Sequence, residues 1–369
     1  MKLSNRLLFI PFFALVIAIL YSTPIMRARA SKVMAQDMSD RRGPLDKQVS
    51  VRAAGRAAPW INLRDGHDLP ADYQGGAKIL QALKSNQARP LAIASADFDE
   101  DGVSDLVGAY EAAGGGAIAV RRGDADTIFP NSPEALARRG RSSPDGILSP
   151  AIDDLASPFL SLSRAFDVSA PPQLLGAGDF DGDGHADVIA ATVGGDALAL
   201  LAGDGHGGFA PARPVALPGK VTALATGDVN RMDGLAEVIV GVAGGGGPRL
   251  LIFEGSAGAI KSPPEIVSLP AEAKSIASGQ LDDDYPVDIA VAADHFLIIV
   301  KGRDRKRPFS EAVGNDARPV VTKLSFPFSI LSAAVGDFTG GAAQEMALLS
   351  DDGAARVLSR TASQSGEST

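Results

Sequence analysis

The stretch GAGDFDGDGHADVIAATVGGD, residues 176–196, sets Asp179, Asp181, Asp183 and Asp187 at positions 1, 3, 5 and 9 of a short loop. Alternate positions of a tight turn can aim several carboxylates at one centre, and a calcium ion asks for roughly six to eight such hard oxygens. Gly184 permits the turn, and the His185 carbonyl falls at position 7. Residues 94–110, ASADFDEDGVSDLVGAY, repeat the pattern with Asp97, Asp99, Asp101 and Asp105, with Gly102 at the turn and the Val103 carbonyl at position 7. Four carboxylates this close repel one another unless a cation sits among them. Ca2+ is therefore the expected cofactor of both loops.

A helix–loop–helix calcium hand begins the same way, but it needs a bidentate Glu at position 12 and a helix on each side. Position 12 is Ala190 in one loop and Gly108 in the other. The flanks are runs of Val, Ile and Ala broken by glycines, which suit strands. These loops are expected to close β-hairpins.

Three weaker copies follow: ATGDVNRMDGLAEVIVGV at 225–242, ASGQLDDDYPVDIAVAA at 277–293 and AVGDFTGGAAQEMALLS at 334–350. The third copy has Asp228 and Asn230, but Met232 where an oxygen is expected and one extra residue before Glu237. The fourth keeps Asp282, Asp284 and Asp288 as a weaker candidate site, opens with Gln280, and puts Tyr285 in the glycine position. The fifth retains only Asp337, Thr339 and Glu345. For the third and fifth, a tight hairpin with a solvated acidic turn is the preferred reading.

The later copies recur at about fifty residues, enough for one four-stranded propeller blade. The first gap is longer, and the excess is read as an inserted loop at about 131–158, polar and rich in turn formers. DFDEDGVSDLV and DFDGDGHADVI, followed by GDGHGGF at 203–209, resemble the FG-GAP/VCBS repeats of integrin α-subunit propellers and many exported bacterial proteins. The resemblance covers about residues 90–358. It implies an all-β fold, a β-propeller of about five to seven four-stranded blades, with structural calcium in hairpin loops between the first two strands of a blade. It also implies ligand recognition by loops on one face, and Asp97, Asp99, Asp101, Asp105, Asp179, Asp181, Asp183 and Asp187 as the carboxylate ligands.

Composition narrows the rest. The 369-residue chain has a net charge of −9, 41 glycines and no cysteine. Disulfides, thiolate metal sites and cysteine nucleophiles are excluded, and nucleic acid is not an expected partner. Lys2 and Arg6 precede an apolar run at 7–20 whose length suits an export signal better than a membrane span. Residues 1–30 are read as a signal peptide, with an uncleaved anchor as the alternative, and localisation is expected to be secreted, periplasmic or cell-surface. Residues 31–58 read as a disordered linker, 59–358 as the propeller and 359–369 as a disordered tail. Either the segment at 59–88 supplies strands that close the ring, or the chain is part of a longer protein.

Catalytic signatures are weak. His67, His185, His206 and His295 lack zinc spacing, and Asp65, His67 and Asp68 form the only compact acid/base group. GVAGGGGPRL at 241–250 lacks the Lys-Ser/Thr of a phosphate loop and reads as a hairpin turn. The basic run KGRDRKRPF at 301–309 reads as a solvated loop, and Trp60 as packing on the first blade. No catalytic residue is assigned. The expected function is a non-enzymatic recognition or scaffold domain for a protein or glycan. The alternatives are a propeller-based polysaccharide hydrolase or lyase, and a spacer within a larger surface protein.

Overall fold

The computed structural model describes residues 50–52, 60–62, 69, 71–112, 114–142, 157–229, 233–303, 319–340 and 344–359, with the side chains of 50–52, 60–62 and 138–142 excepted. The export segment, Asp65, His67, Asp68, Asn230, Met232, the basic residues beyond Arg303 and the Trp60 side chain lie outside this set, as does the tail from 360. Among the described residues no helix is long and apolar enough to cross a membrane.

The chain divides into two units, Met1–Val51 with Ile61–Arg64 and Arg52–Trp60 with Asp65–Thr369. Strands β1 (Ser50–Arg52) and β2 (Trp60–Asn62) form a two-stranded sheet, so three residues of the segment read as linker are paired. The second unit holds the repeats in four sheets. The first contains β3 (Asp72–Gln74), β4 (Arg89–Ala96), β5 (Asp105–Ala112), β6 (Gly115–Gly123) and β7 (Phe159–Val168), in the order β3-β7-β6-β5-β4. The second is β8 (Leu174–Gly178), β9 (Asp187–Ala191), β10 (Ala197–Leu201) and β11 (Arg213–Ala216) in simple sequence. The third repeats that meander with β12 (Lys220–Gly227), β13 (Glu237–Ala243), β14 (Arg249–Phe253) and β15 (Glu265–Ser268). The fourth runs through β16 (Ser275–Gly279), β17 (Asp288–Val300), β18 (Val321–Gly336), β19 (Glu345–Ser350) and β20 (Ala355–Leu358).

The second strands read as unbroken apolar runs because both of their faces are buried. Side chains alternate between faces with period two. Thus Val188 and Ala190 of β9 pack with Val107, Ile118 and Val120 of the first sheet, while Ile189 and Ala191 pack with Val238, Val240 and Leu251 of the third. Ile239, on the opposite face of β13, meets Ile289 and Val291 of the fourth. Sheet is stacked on sheet, and the first strands lie side by side: β4 beside β8, β8 beside β12, β12 beside β16. Gly176 is required there, since a Cβ on it would run into the Thr226 side chain of β12.

Five sequence copies yield four sheets among the described residues, because the fourth and fifth share β18. Its first part pairs with β17, through Val321↔Val300, and its second part with β19, through Gly336↔Glu345. The second part also flanks β16, where the Ser275 hydroxyl donates to the Ala333 carbonyl at 3.3 Å. Two sheets have five strands rather than four. Within the N-terminal segment, β3 adds in parallel to β7, at the edge of the first sheet opposite β4. The helix Ala77–Lys84 then packs Ile79, Ala82 and Leu83 against Ala117 and Ala165. The inserted excursion leaves between β6 and β7, and its described part is helical over Ala125–Ile128 and Pro133–Ser142. Residues 241–250 are the β13–β14 hairpin, as expected.

Gly203 lies where a Cβ would collide with the Ala186 carbonyl, whereas a Cβ on Gly245 would meet nothing within 4 Å. We expect Gly203→Ala to lower unfolding free energy by about 1–3 kcal/mol in denaturant melts, and Gly245→Ala to stay within about 0.5 kcal/mol of wild type. Equal effects would contradict the close approach at Gly203.

Candidate metal centres in the hairpin loops

Every loop opens after the first strand of its repeat and closes on the first residue of the second. Those closing residues are Asp105, Asp187, Glu237, Asp288 and Glu345, in equivalent register opposite Ala96, Gly178, Gly227, Gly279 and Gly336. All five are buried; Asp187 is 0 % exposed and Asp105 1 %. A buried carboxylate needs donors, and the backbone supplies them. Asp187 accepts from the Phe180 amide at 2.9 Å and the Gly203 amide at 2.8 Å. Asp105 accepts from Phe98 at 3.0 Å and Gly123 at 2.7 Å, and Asp288 from Leu281 at 3.1 Å and Gly302 at 2.9 Å. Glu237 takes the Val229 amide at 2.7 Å, and Glu345 the Phe338 amide at 3.2 Å. One carboxylate thus fastens the loop entrance and, in three repeats, a glycine further along: Gly123 at the end of β6, Gly203 just after β10 and Gly302 just after β17.

Position 1 shapes the turn. Asp179 accepts from the Gly182 and Gly184 amides at 2.6 and 2.9 Å, and Asp97 from Asp101 and Gly102 at 3.2 and 2.9 Å. Gly184 and Gly102 both have positive φ, 93° and 86°, which is why glycine recurs there.

The carboxylates converge, though not always as the sequence suggests. In the second loop Asp179, Asp181 and Asp187 each offer an oxygen, all within 4.8 Å of one another. Asp183 is outside that group and accepts from the His185 amide at 2.9 Å. In the first loop the group is Asp97, Asp99 and Asp101, without Asp105; the Val103 amide donates to Asp101. Asp282, Asp284 and Asp288 converge in the fourth. In the third, Asp228 and Glu237 are joined by Asp233, which sequence reading missed because the extra residue in that loop shifts it out of step.

Of the first, second and fourth loops, a metal fits best in the second. Asp181 Oδ1 is a buried acceptor with no hydrogen-bond partner. The Lys261 ammonium reaches the main-chain carbonyl of Asp181, not its carboxylate. In the first loop, by contrast, the Arg122 guanidinium pairs with Asp99 Oδ2, leaving Oδ1 buried and unpartnered. In the fourth, the Lys301 ammonium lies 2.5 Å from Asp282 Oδ2. Arg122 was not singled out from sequence, and Lys301 was read only as the start of a solvated basic loop; Arg122 lies near the end of β6 and Lys301 just past β17, well beyond the loops they reach.

Electrostatics follow from this crowding. Burial pushes the Asp187 carboxyl up to about 6 against the pull of the Gly203 and Phe180 amides, with Asp181 and Asp183 adding to the rise. Asp105 is likewise pushed up to about 6 by burial, despite the Gly123 amide, with Asp99 and Asp101 contributing. Burial, then the neighbouring Asp228, Asp233 and Glu254, push Glu237 up to about 8 against the Val229 amide. Burial also works against the Asp282 charge, but the Lys301 ammonium and the Asp284 amide outweigh it and hold that carboxyl below its ordinary value.

The first and second loops are also tied to the next sheet. The Gly207 amide donates to the Phe98 carbonyl at 2.8 Å, and the Ile260 amide to the Phe180 carbonyl at 3.4 Å. His185, expected as a main-chain ligand in a turn, has its Nδ1 against the Glu100 carboxylate of the preceding loop. His206 sits in the 203–209 turn, where its carbonyl accepts from Arg164 at 3.1 Å.

Residues 179–231 match the FG-GAP-like repeat family. The chain therefore carries an FG-GAP-like repeat whose opening aspartate is Asp179. Among solved structures it is similar to BBS1N in complex with ARL6DN, in a mercury-soaked crystal (11% identity, 74% of this chain, 67% of that chain, TM-score 0.44). A lead-soaked crystal of the same complex gives 12% identity, 74% and 64% coverage and a TM-score of 0.45. The V. cholerae biofilm matrix protein Bap1 gives 12%, 76%, 60% and 0.28. The chain thus spans 60% to 67% of the lengths of these three. No curated protein matches it closely.

Asp187→Ala should cost about 2–5 kcal/mol, since it orphans two buried amides and leaves a cavity, while Asp187→Asn, which retains an acceptor, should cost less; urea melts at pH 7 decide the order. The raised carboxyls also set a pH dependence. The folded chain holds protons at Asp105, Asp187 and Glu237 that the unfolded chain releases near its ordinary carboxyl range of about 4. In chelator, stability is therefore greatest below that range and falls as pH rises through about 6 and then about 8. A melting temperature that climbed steadily from pH 4.5 to 8 would contradict this.

Proposed function

We propose that this chain is an exported, calcium-braced β-propeller of FG-GAP-like repeats that works as a non-enzymatic recognition domain for a protein or glycan ligand. The observation that carries the calcium reading is the second loop, where three carboxylate oxygens converge around the buried, unpartnered Asp181 Oδ1. Asp179, Asp181 and Asp187 would hold the ion, with Asp183 and the His185 carbonyl as further oxygens expected from sequence. The ion would supply positive charge that lets the buried Asp187 stay ionised. The chain's own bonds do the rest: Asp187 ties Phe180 to Gly203, and Phe180 accepts from Ile260 of the next sheet. A brace at this loop therefore supports the junction between the second and third sheets.

Four stacked sheets with their first strands side by side support the propeller reading. The non-enzymatic reading is supported by those first strands, RPLAIASA, LLGAG, KVTALATG and SIASG, which carry no carboxylate and no histidine. A hydrolytic centre needs paired acid and base groups. Export rests on the basic and apolar pattern of residues 1–30.

Calcium at about a hundredfold its dissociation constant should stabilise the folded state by about 2.7 kcal/mol, which raises the melting temperature by about 4 °C or more. Chelator should reverse this, and Asp181→Ala should remove most of the response. A melting temperature indifferent to calcium, chelator and this substitution would overturn the brace.

A further inference from the structure

The glycine that donates to the closing carboxylate marks the same place in three repeats: Gly123 to Asp105, Gly203 to Asp187 and Gly302 to Asp288. A Cβ on any of them would press on the main chain just before that carboxylate, at Ser104, Ala186 and Val287 respectively. This shared geometry makes the preceding residues, Arg122, Ala202 and Lys301, structural equivalents. Their side chains behave alike where they are long. Arg122 reaches Asp99, and Lys301 reaches Asp282, the position-3 aspartate of the loop in both cases. The position-3 aspartate of the second loop is Asp181, and there the equivalent residue is the methyl-bearing Ala202. Asp181 Oδ1 is left buried without a partner. The nearby basic groups do not replace the missing contact: Lys261 goes to a carbonyl and His185 to Glu100.

We infer that the residue before this glycine selects how each loop is neutralised: Arg122 and Lys301 are built-in cations standing where a metal ion would sit in the first and fourth loops, and Ala202 leaves the second loop to a divalent cation. The inference rests on the calcium brace proposed above for the second loop and refines it, because the first loop, with the same aspartate pattern, is assigned a guanidinium instead. The physical ground is that one positive charge within contact distance of an aspartate favours the ionised form as a bound ion does. An arginine or lysine held by its own strand is at permanently high local concentration, whereas an ion must be recruited from solution. Both tethered cations approach from a strand whose exit is pinned by the closing carboxylate, so they reach the loop from one direction.

The test uses the full-length chain, Ca2+ alone as the probe, equilibrium dialysis to count bound ions, and melting in chelator and in calcium. Arg122→Ala and Lys301→Ala should each lower the melting temperature in chelator, recover much of it in calcium, and raise the ion count by one. Ala202→Lys should lower the count by one and make melting less sensitive to chelator. It adds a side chain at a partly exposed position, so it reads out even if a loss of Arg122 prevents folding. Ion counts identical in wild type and all three variants would overturn the inference. So would an ion lost on removing Arg122. A wild type that binds no ion, with one gained on Arg122→Ala, would overturn the brace of the second loop yet uphold the built-in cation.

Discussion

A carboxylate buried at the first residue of the second strand, accepting from two main-chain amides, is the contact from which the rest of the first, second and fourth repeats is built. Burial of a charge is costly unless hydrogen bonds replace its water. The loop entrance at Phe98, Phe180 or Leu281 and the strand exit at Gly123, Gly203 or Gly302 provide those bonds. Because the same side chain holds both, the hairpin loop cannot move without the strand that leads into that glycine. The remaining aspartates then crowd into a space already fixed in shape, and their mutual repulsion becomes a demand for positive charge. The demand for positive charge at these loops is thus a consequence of how the hairpins are fastened.

The clasp extends from sheet to sheet. The residue after the opening aspartate, Phe98 or Phe180, has its amide on the closing carboxylate and its carbonyl on a turn of the following sheet, at Gly207 or Ile260. Its ring meanwhile fills the core between the two sheets, fully buried in both repeats. One residue therefore joins the loop, the packing and the inter-sheet contact. This explains why FDGDG and FDEDG keep phenylalanine, and why the third and fourth repeats, which have Val229 and Leu281 there, still place an apolar side chain at that point.

Much of this was legible in the amino-acid order, and the reasons for the exceptions are physical. Alternating aspartates with a glycine at positive φ announced the loops, and runs such as DVIAA and EVIVGVA announced strands buried on two faces. The roles of Asp105 and Asp187 were only half visible: spacing marked them as loop oxygens, but one amide partner of each, Gly123 or Gly203, lies eighteen or sixteen residues away. That separation varies between repeats because the hairpins differ in length, so no fixed spacing reveals Arg122 or Lys301 as partners of Asp99 and Asp282. Asp233 was hidden by a single extra residue. The merger of the fourth and fifth repeats was invisible, since the sequence of β18 looks like two ordinary strands in succession.

That merged strand has a bearing on how the molecule comes apart. Repeat arrays commonly open from their ends, one unit at a time, because each unit touches only its neighbours. Here the end of the described array cannot be peeled off as a unit: β18 runs sixteen residues without a break and serves the fourth repeat with one half and the fifth with the other. Opening β19 and β20 exposes the edge that completes the fourth sheet, so the two repeats share one fate. The fourth and fifth repeats are in effect a single cooperative block of double size.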